Sequence, residues 1–120
     1  MTSLTPIILA TVIAVHDGDT FTVNLNCDID IVCKSIPVRI MHIDTPEING
    51  KCDAEKEKAQ QAKKITAKYL AKGSTIVLAV PRRDKYFRID AEFPALQTAL
   101  TSAGLAHDYE GGKKLGWCDE

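Results

Sequence analysis

Apolar and polar positions alternate along the opening segments of the chain. Ile7 to Val15 is rich in β-branched residues and reads as a strand. His16-Asp17-Gly18-Asp19 reads as a turn, with glycine supplying backbone angles that other residues avoid. From Thr20 to Leu25, the apolar Phe21, Val23 and Leu25 alternate with Thr20, Thr22 and Asn24, the pattern of a half-buried strand. Residues 26–35 read as a polar connection interrupted by Ile29, Ile31 and Val32. A third strand is expected from Ile36 to Ile43. Asp44-Thr45-Pro46-Glu47 ends it, because Pro46 has no N–H to give to a ladder.

The period then changes. Asp53 suits a helix cap, and the stretch from Ala54 to Lys72 has no Gly or Pro. Ala59, Ala62, Thr66, Tyr69 and Leu70 recur at helical spacing, and Gly73 is the expected terminator. Thr75 to Val80 reads as a fourth strand, Arg82 to Lys85 as a basic turn, and Tyr86 to Phe93 as a fifth strand. Pro94 suits a first helical position, and Leu96, Ala99, Leu100 and Ala103 form an apolar stripe stopped by Gly104. Residues 106–120 read as an irregular tail. This order predicts an α+β fold: a five-stranded OB-fold Greek-key β-barrel, with a long helix between strands 3 and 4 and a short helix after strand 5.

The length of 120 residues allows one domain, spanning 1–120. Fifteen basic against sixteen acidic residues give a net charge of −1, which argues against coating nucleic acid through bulk charge. The charges are unevenly placed, however. Lys and Arg gather in 56–72, in 82–88 and at Lys113 and Lys114, while acids concentrate at Asp17, Asp19, Asp28, Asp30, Asp44 and Glu47. An acidic cluster amid basic segments suits a metal site facing an anionic substrate.

No apolar run approaches the roughly 20 residues of a membrane span, so no membrane partner is expected. Met1 to Pro6 carries no Lys or Arg, and the following apolar run reads as a first strand rather than a signal peptide. The compartment stays open between cytoplasmic and secreted or periplasmic. So does the state of the four cysteines. Cys27 and Cys33 could bridge a hairpin and Cys52 and Cys118 could tie a loop to the tail, or all four could be reduced thiols. Their spacing does not fit a structural zinc site.

Three segments carry candidate chemistry. Asp17-Gly18-Asp19-Thr20 is a common turn sequence that can also aim a carboxylate as a hard oxygen ligand. In a continuous strand, Val38, Ile40 and His42 would face away from Arg39, Met41 and Ile43. An arginine among so many apolar neighbours needs an anionic partner or a wet cleft, and Asp44 and Glu47 follow at the strand end. In the segment Arg82 to Asp90, Tyr86 and Arg88 would share a strand face. Guanidinium forks two hydrogen bonds to phosphate, and Tyr86 offers a stacking surface. Each segment alone also reads as plain structure: a turn, a paired arginine, a solvated charged hairpin.

In this order, DGDT, V-R-I-x-x-I-D-T-P-E, K-Y-x-R-I-D-A and G-L-A with a later aromatic-Cys pair resemble the staphylococcal-nuclease family across nearly the whole chain. The resemblance implies an OB barrel, a calcium ion, and phosphodiester hydrolysis of single- or double-stranded DNA or RNA that leaves 3′-phosphate ends. It implies Asp19, Asp44 and the carbonyl of Thr45 as Ca²⁺ ligands, and Arg39, Glu47 and Arg88 as the catalytic trio. Lys85, Tyr86 and Tyr109 would contact the nucleotide. Phe87 departs from the pattern, standing where many relatives have glycine. Weak sequence specificity and a monomer are expected. The competing expectation is a catalytically silent OB-fold module that binds nucleic acid or protein.

Overall fold

The computed structural model describes residues 7–84 and 87–118. Its elements are β1 (Ile7–Asp17), β2 (Thr20–Leu25), α1 (Asp30–Cys33), β3 (Ile36–Ile40), β4 (Ile43–Asp44), α2 (Asp53–Tyr69), β5 (Thr75–Arg83), β6 (Ile89–Glu92), α3 (Pro94–Ser102) and β7 (His107–Asp108). Five strands close a barrel in the order β1-β2-β3-β6-β5. The β3–β6 contact is parallel and the other four barrel contacts are antiparallel. The fold is thus α+β and built on a closed barrel. Among the described residues, no helix is long and apolar enough to cross a membrane.

The core follows from the alternation. Val12, Phe21, Val23, Val38, Ile40, Leu78 and Ala91 point inward with no exposed surface. Leu96 and Leu100 of α3 and Ala62 and Leu70 at α2 join the same cluster. Phe21 and Phe93 meet edge to face at 5.6 Å. Each such large side chain contributes about 1.5–3 kcal/mol by leaving water.

Several expected elements differ from those observed. The strand expected over Ile36–Ile43 is broken. His42 adopts φ 72, and β4 leaves the barrel to pair with β7 inside the expected irregular tail. Ile43 consequently enters the core instead of sharing the face of Arg39. Residues 26–35 contain α1, clipped by a Cys27–Cys33 disulfide across 5.8 Å between Cα atoms. Cys52, not Asp53, caps α2, because its Sγ accepts the amide of Glu55 at 3.4 Å. That helix ends at Tyr69, which is 51 % exposed and therefore not part of the buried stripe. β5 runs past Val80 to Arg83 through a register shift, with Val80 at φ 48. β6 begins only at Ile89, so Arg88 precedes the strand rather than lying within it.

A second disulfide joins Cys52 to Cys118, with Cα atoms 6.1 Å apart. All four cysteines are therefore paired. This bridge carries the tail back to the start of α2.

Candidate active site

The β1–β2 turn sets the first acid. A Cβ at Gly18 would lie 2.8 Å from the Cβ of Ala62 and 3.0 Å from that of Thr45, so α2 approaches the turn as closely as glycine permits. Thr66 Oγ1 donates to the Gly18 carbonyl at 2.6 Å, and the Asp19 carbonyl accepts from Ile40 N–H at 2.8 Å. Asp19 is thereby pinned beside β3 and is 7 % exposed. Burial, more than any other effect, pushes its carboxyl up to about 7. The charge of Asp17 and a hydrogen bond to Asp17 add to the rise, as does Asp44, while Arg39 works against it.

β4 supplies the second acid. Asp44 is 4 % exposed and Thr45 only 2 %. Thr45 N–H donates to Asp19 Oδ2 at 3.4 Å, and Thr45 Oγ1 is buried with no partner. Two buried carboxylates of like sign, a neighbouring carbonyl and an orphaned hydroxyl are an all-oxygen donor set of the kind that suits a hard cation such as Ca²⁺, although each carboxylate also has one basic neighbour, Arg39 at Asp19 and Lys114 at Asp44. Among the described residues, no group of three or more His, Cys, Asp or Glu side chains converges at ligating distance. The expected set has only two carboxylates, with its third ligand from the backbone. Lys114 supplies one nearby positive charge, its Nζ lying 3.3 Å from Asp44 Oδ1.

Arg39 lies between the acids and an open groove. Its NH2 donates to the Ile43 carbonyl at 3.0 Å and lies 3.9 Å from Asp19 Oδ2. Its guanidinium is 5.4 Å from the centre of the Tyr109 ring. Arg88 is clasped by Asp84. Its Nε donates to Oδ2 at 2.8 Å and its backbone N–H donates to Oδ1 at 3.0 Å. Arg39, Arg82, Arg88, Tyr109 and Lys114 line one groove of about 680 Å³, together with Asp84 and Asp90. Burial raises the Asp90 carboxyl above its ordinary value. The hydrogen bond and charge of Asp84 raise it further, against Arg39 and Arg88.

Asp44, Thr45 and Glu47 line a separate hollow of about 280 Å³ with Lys51, Glu55, Trp117 and Cys118. Lys114 borders both spaces. The expected residues therefore divide: both arginines and Tyr109 on one side of Lys114, and the acids Asp44 and Glu47 on the other. Glu47 is exposed, on the loop leading to α2. The expected roles of Lys85 and Tyr86 fall outside the described residues. Phe87 is 76 % exposed and holds φ 63, the left-handed angle that glycine would adopt without cost.

The sequence assigned no role at the site to Asp84, Glu55, Lys114 or Trp117. Glu55 stands at capping-box spacing from Cys52, a signal hidden by the expectation that Asp53 is the cap. Trp117 entered only as the aromatic of the aromatic-Cys pair, with no role: it stacks on His107 with ring centres 3.7 Å apart, a contact made by the folded tail.

Compared with known proteins, the chain matches no family model and no curated protein.

Proposed function

We propose that this chain is a calcium-dependent nuclease with little sequence specificity, built on an OB-type barrel in the manner of the staphylococcal nucleases. One observation carries the reading. A buried pair of mutually repelling carboxylates, Asp19 and Asp44, adjoins a groove lined by Arg39, Arg88 and Lys114, with Arg39 and Lys114 as the basic neighbours of the two acids. A site that wants a cation on one side and an anion on the other suits a metal-assisted attack on a phosphodiester. The strand order β1-β2-β3-β6-β5 supports the Greek-key reading of the barrel.

In this reading Asp19, Asp44 and the Thr45 carbonyl hold the ion. Calcium held there would supply Lewis-acid charge stabilisation to the reaction. Glu47 takes the proton from the attacking water at its carboxylate as the new P–O bond forms. The P–O5′ bond breaks to leave a 3′-phosphate and a 5′-oxygen that is protonated from solvent. Arg39 and Arg88 donate hydrogen bonds to the phosphoryl oxygens on which charge grows. Asp84 holds the Arg88 guanidinium in place, and Tyr109 offers a ring to the nucleotide beside Arg39. Lys85 and Tyr86 keep the nucleotide-contacting roles that the resemblance assigns. Two disulfides suit an oxidising compartment.

The test is incubation with single-stranded DNA and with RNA, in calcium and in a chelator. Calcium-dependent cleavage leaving 3′-phosphate ends is expected. Binding that ignores the chelator, with no cleavage, would replace this reading with a catalytically silent binding module.

A further inference from the structure

Glu55 belongs to the first turn of α2, yet its carboxylate serves the loop before the helix. Its Oε2 accepts from the backbone N–H of Glu47 at 3.1 Å, and its Oε1 accepts from Lys51 N–H at 3.0 Å. The residue is 7 % exposed. Among the described residues it makes no ion pair, so backbone amides are what stabilise its buried charge. The loop packs directly against it: a Cβ at Gly50 would fall 2.5 Å from Cγ and Cδ of Glu55. From the helix side, Cys52 Sγ accepts the Glu55 amide at 3.4 Å, and Cys52 is bonded to Cys118.

Cys52 and Glu55 have the spacing of a capping box, in which the glutamate would return to the amide of the cap itself. Here it reaches past the cap to Lys51 and Glu47. The extra reach adds nothing to capping. What it does is fix both ends of the 47–51 segment.

We infer that Glu55 is a positioning residue for Glu47. Its buried carboxylate suspends the 47–51 loop from two amides, one of them that of Glu47, and so sets where the Glu47 side chain stands beside Asp44. This rests on the reading of Glu47 as the proton acceptor. Glu55 itself need not touch substrate.

Glu55→Gln is the informative change. The amide keeps one acceptor oxygen, while its NH₂ meets a second N–H donor, so one anchor is lost with little change of shape. Turnover of a short single-stranded DNA should drop about 10- to 100-fold with KM nearly unchanged, the signature of a misplaced group rather than lost binding. In a Glu47→Gln background, the same change should cost no more than about twofold, because the two residues act as one unit. Hydrogen exchange at the Glu47 amide should accelerate in Glu55→Gln. Gly50→Ala, which presses on Glu55 from the loop side and keeps its charge, should reproduce the kcat loss and covers the case in which Glu55→Gln does not fold. Multiplicative losses in the double variant, or an unchanged Glu47 amide, would overturn the assignment. Should the wild-type protein cleave nothing in calcium, the nuclease reading falls and the catalytic consequence with it. Exchange at the Glu47 amide then decides alone whether Glu55 holds this loop.

Discussion

Lys114 places its ammonium 3.3 Å from Asp44 Oδ1, where the carboxylate is nearly buried and the lysine about half exposed. The tail thus brings a tethered cation to an acid proposed to hold a metal. Ion and ammonium compete for the same negative charge. Lys114→Met should therefore tighten calcium binding in calorimetry without substrate. An ion pair with one exposed partner is worth up to about 1 kcal/mol, so the gain should reach at most about fivefold. Unchanged affinity would mean that the ion pair does not oppose the metal.

Arg39 and Arg88 reach the same groove from different elements. Replacing either by alanine should leave the far-ultraviolet circular dichroism intact and lower the cleavage rate by roughly 10²–10³, equivalent to about 2.7–4 kcal/mol. Wild-type turnover by either variant would remove that arginine from the mechanism. Asp84→Ala should reproduce part of the Arg88 loss, since it frees the Nε that Asp84 holds at 2.8 Å.

Phe87 keeps a backbone angle suited to glycine although it carries a large exposed side chain. The left-handed conformation costs a non-glycine residue about 1–2 kcal/mol. Phe87→Gly gives back part of that by making the unfolded chain more flexible. Urea denaturation should show a net gain of up to about 1 kcal/mol, with no loss of cleavage. A destabilised variant would show that the Phe87 ring contributes more than its backbone costs.

His42 bonds through Nδ1 to Glu110 at 2.6 Å and through Nε2 to Glu92 at 3.2 Å. The hydrogen bond to Glu110 raises its pKa above 6.5. Partial burial opposes this, and Glu92 and the charges of both acids assist. A raised folded value means that the protonated ring favours the folded state. That contribution is complete below the unfolded value near 6.5 and fades as pH rises through the higher folded value. The ring-proton shift of His42 should titrate above 6.5, and Glu110→Gln should bring its midpoint down. Equal midpoints in both proteins would deny the contact its influence.

Much of the barrel was legible because one face of each strand meets the core. Phe21 and Val23 against Thr20, Thr22 and Asn24 is a pattern that hydrophobic burial alone decides. The break at His42 was not legible. Ile40-Met41-His42-Ile43 reads as one apolar run, and its reversal is held by distant groups, including the Tyr109 N–H on the His42 carbonyl at 2.8 Å. The cap of α2 misled for a related reason, since a bonded cysteine displaced the better intrinsic capper, Asp53. At the candidate site, the acids and arginines were visible as residue types in sequence order. The separation of Arg39 from Glu47 by Lys114 was not, because it depends on where the tail returns. The clasp of Asp84 on Arg88 was hidden inside what reads as an ordinary basic turn.

Cys52 and Cys118 lie 66 positions apart, and their bond makes a covalent ring of everything between them, from α2 through Trp117. A single peptide cut in the exposed 110–116 segment would open the ring without releasing either piece. A protease-nicked preparation should therefore migrate as one species until a reductant is added and as two afterwards. The stretch bearing Lys114 stays tethered to the domain through such damage, which makes this part of the site one that can be clipped and still kept.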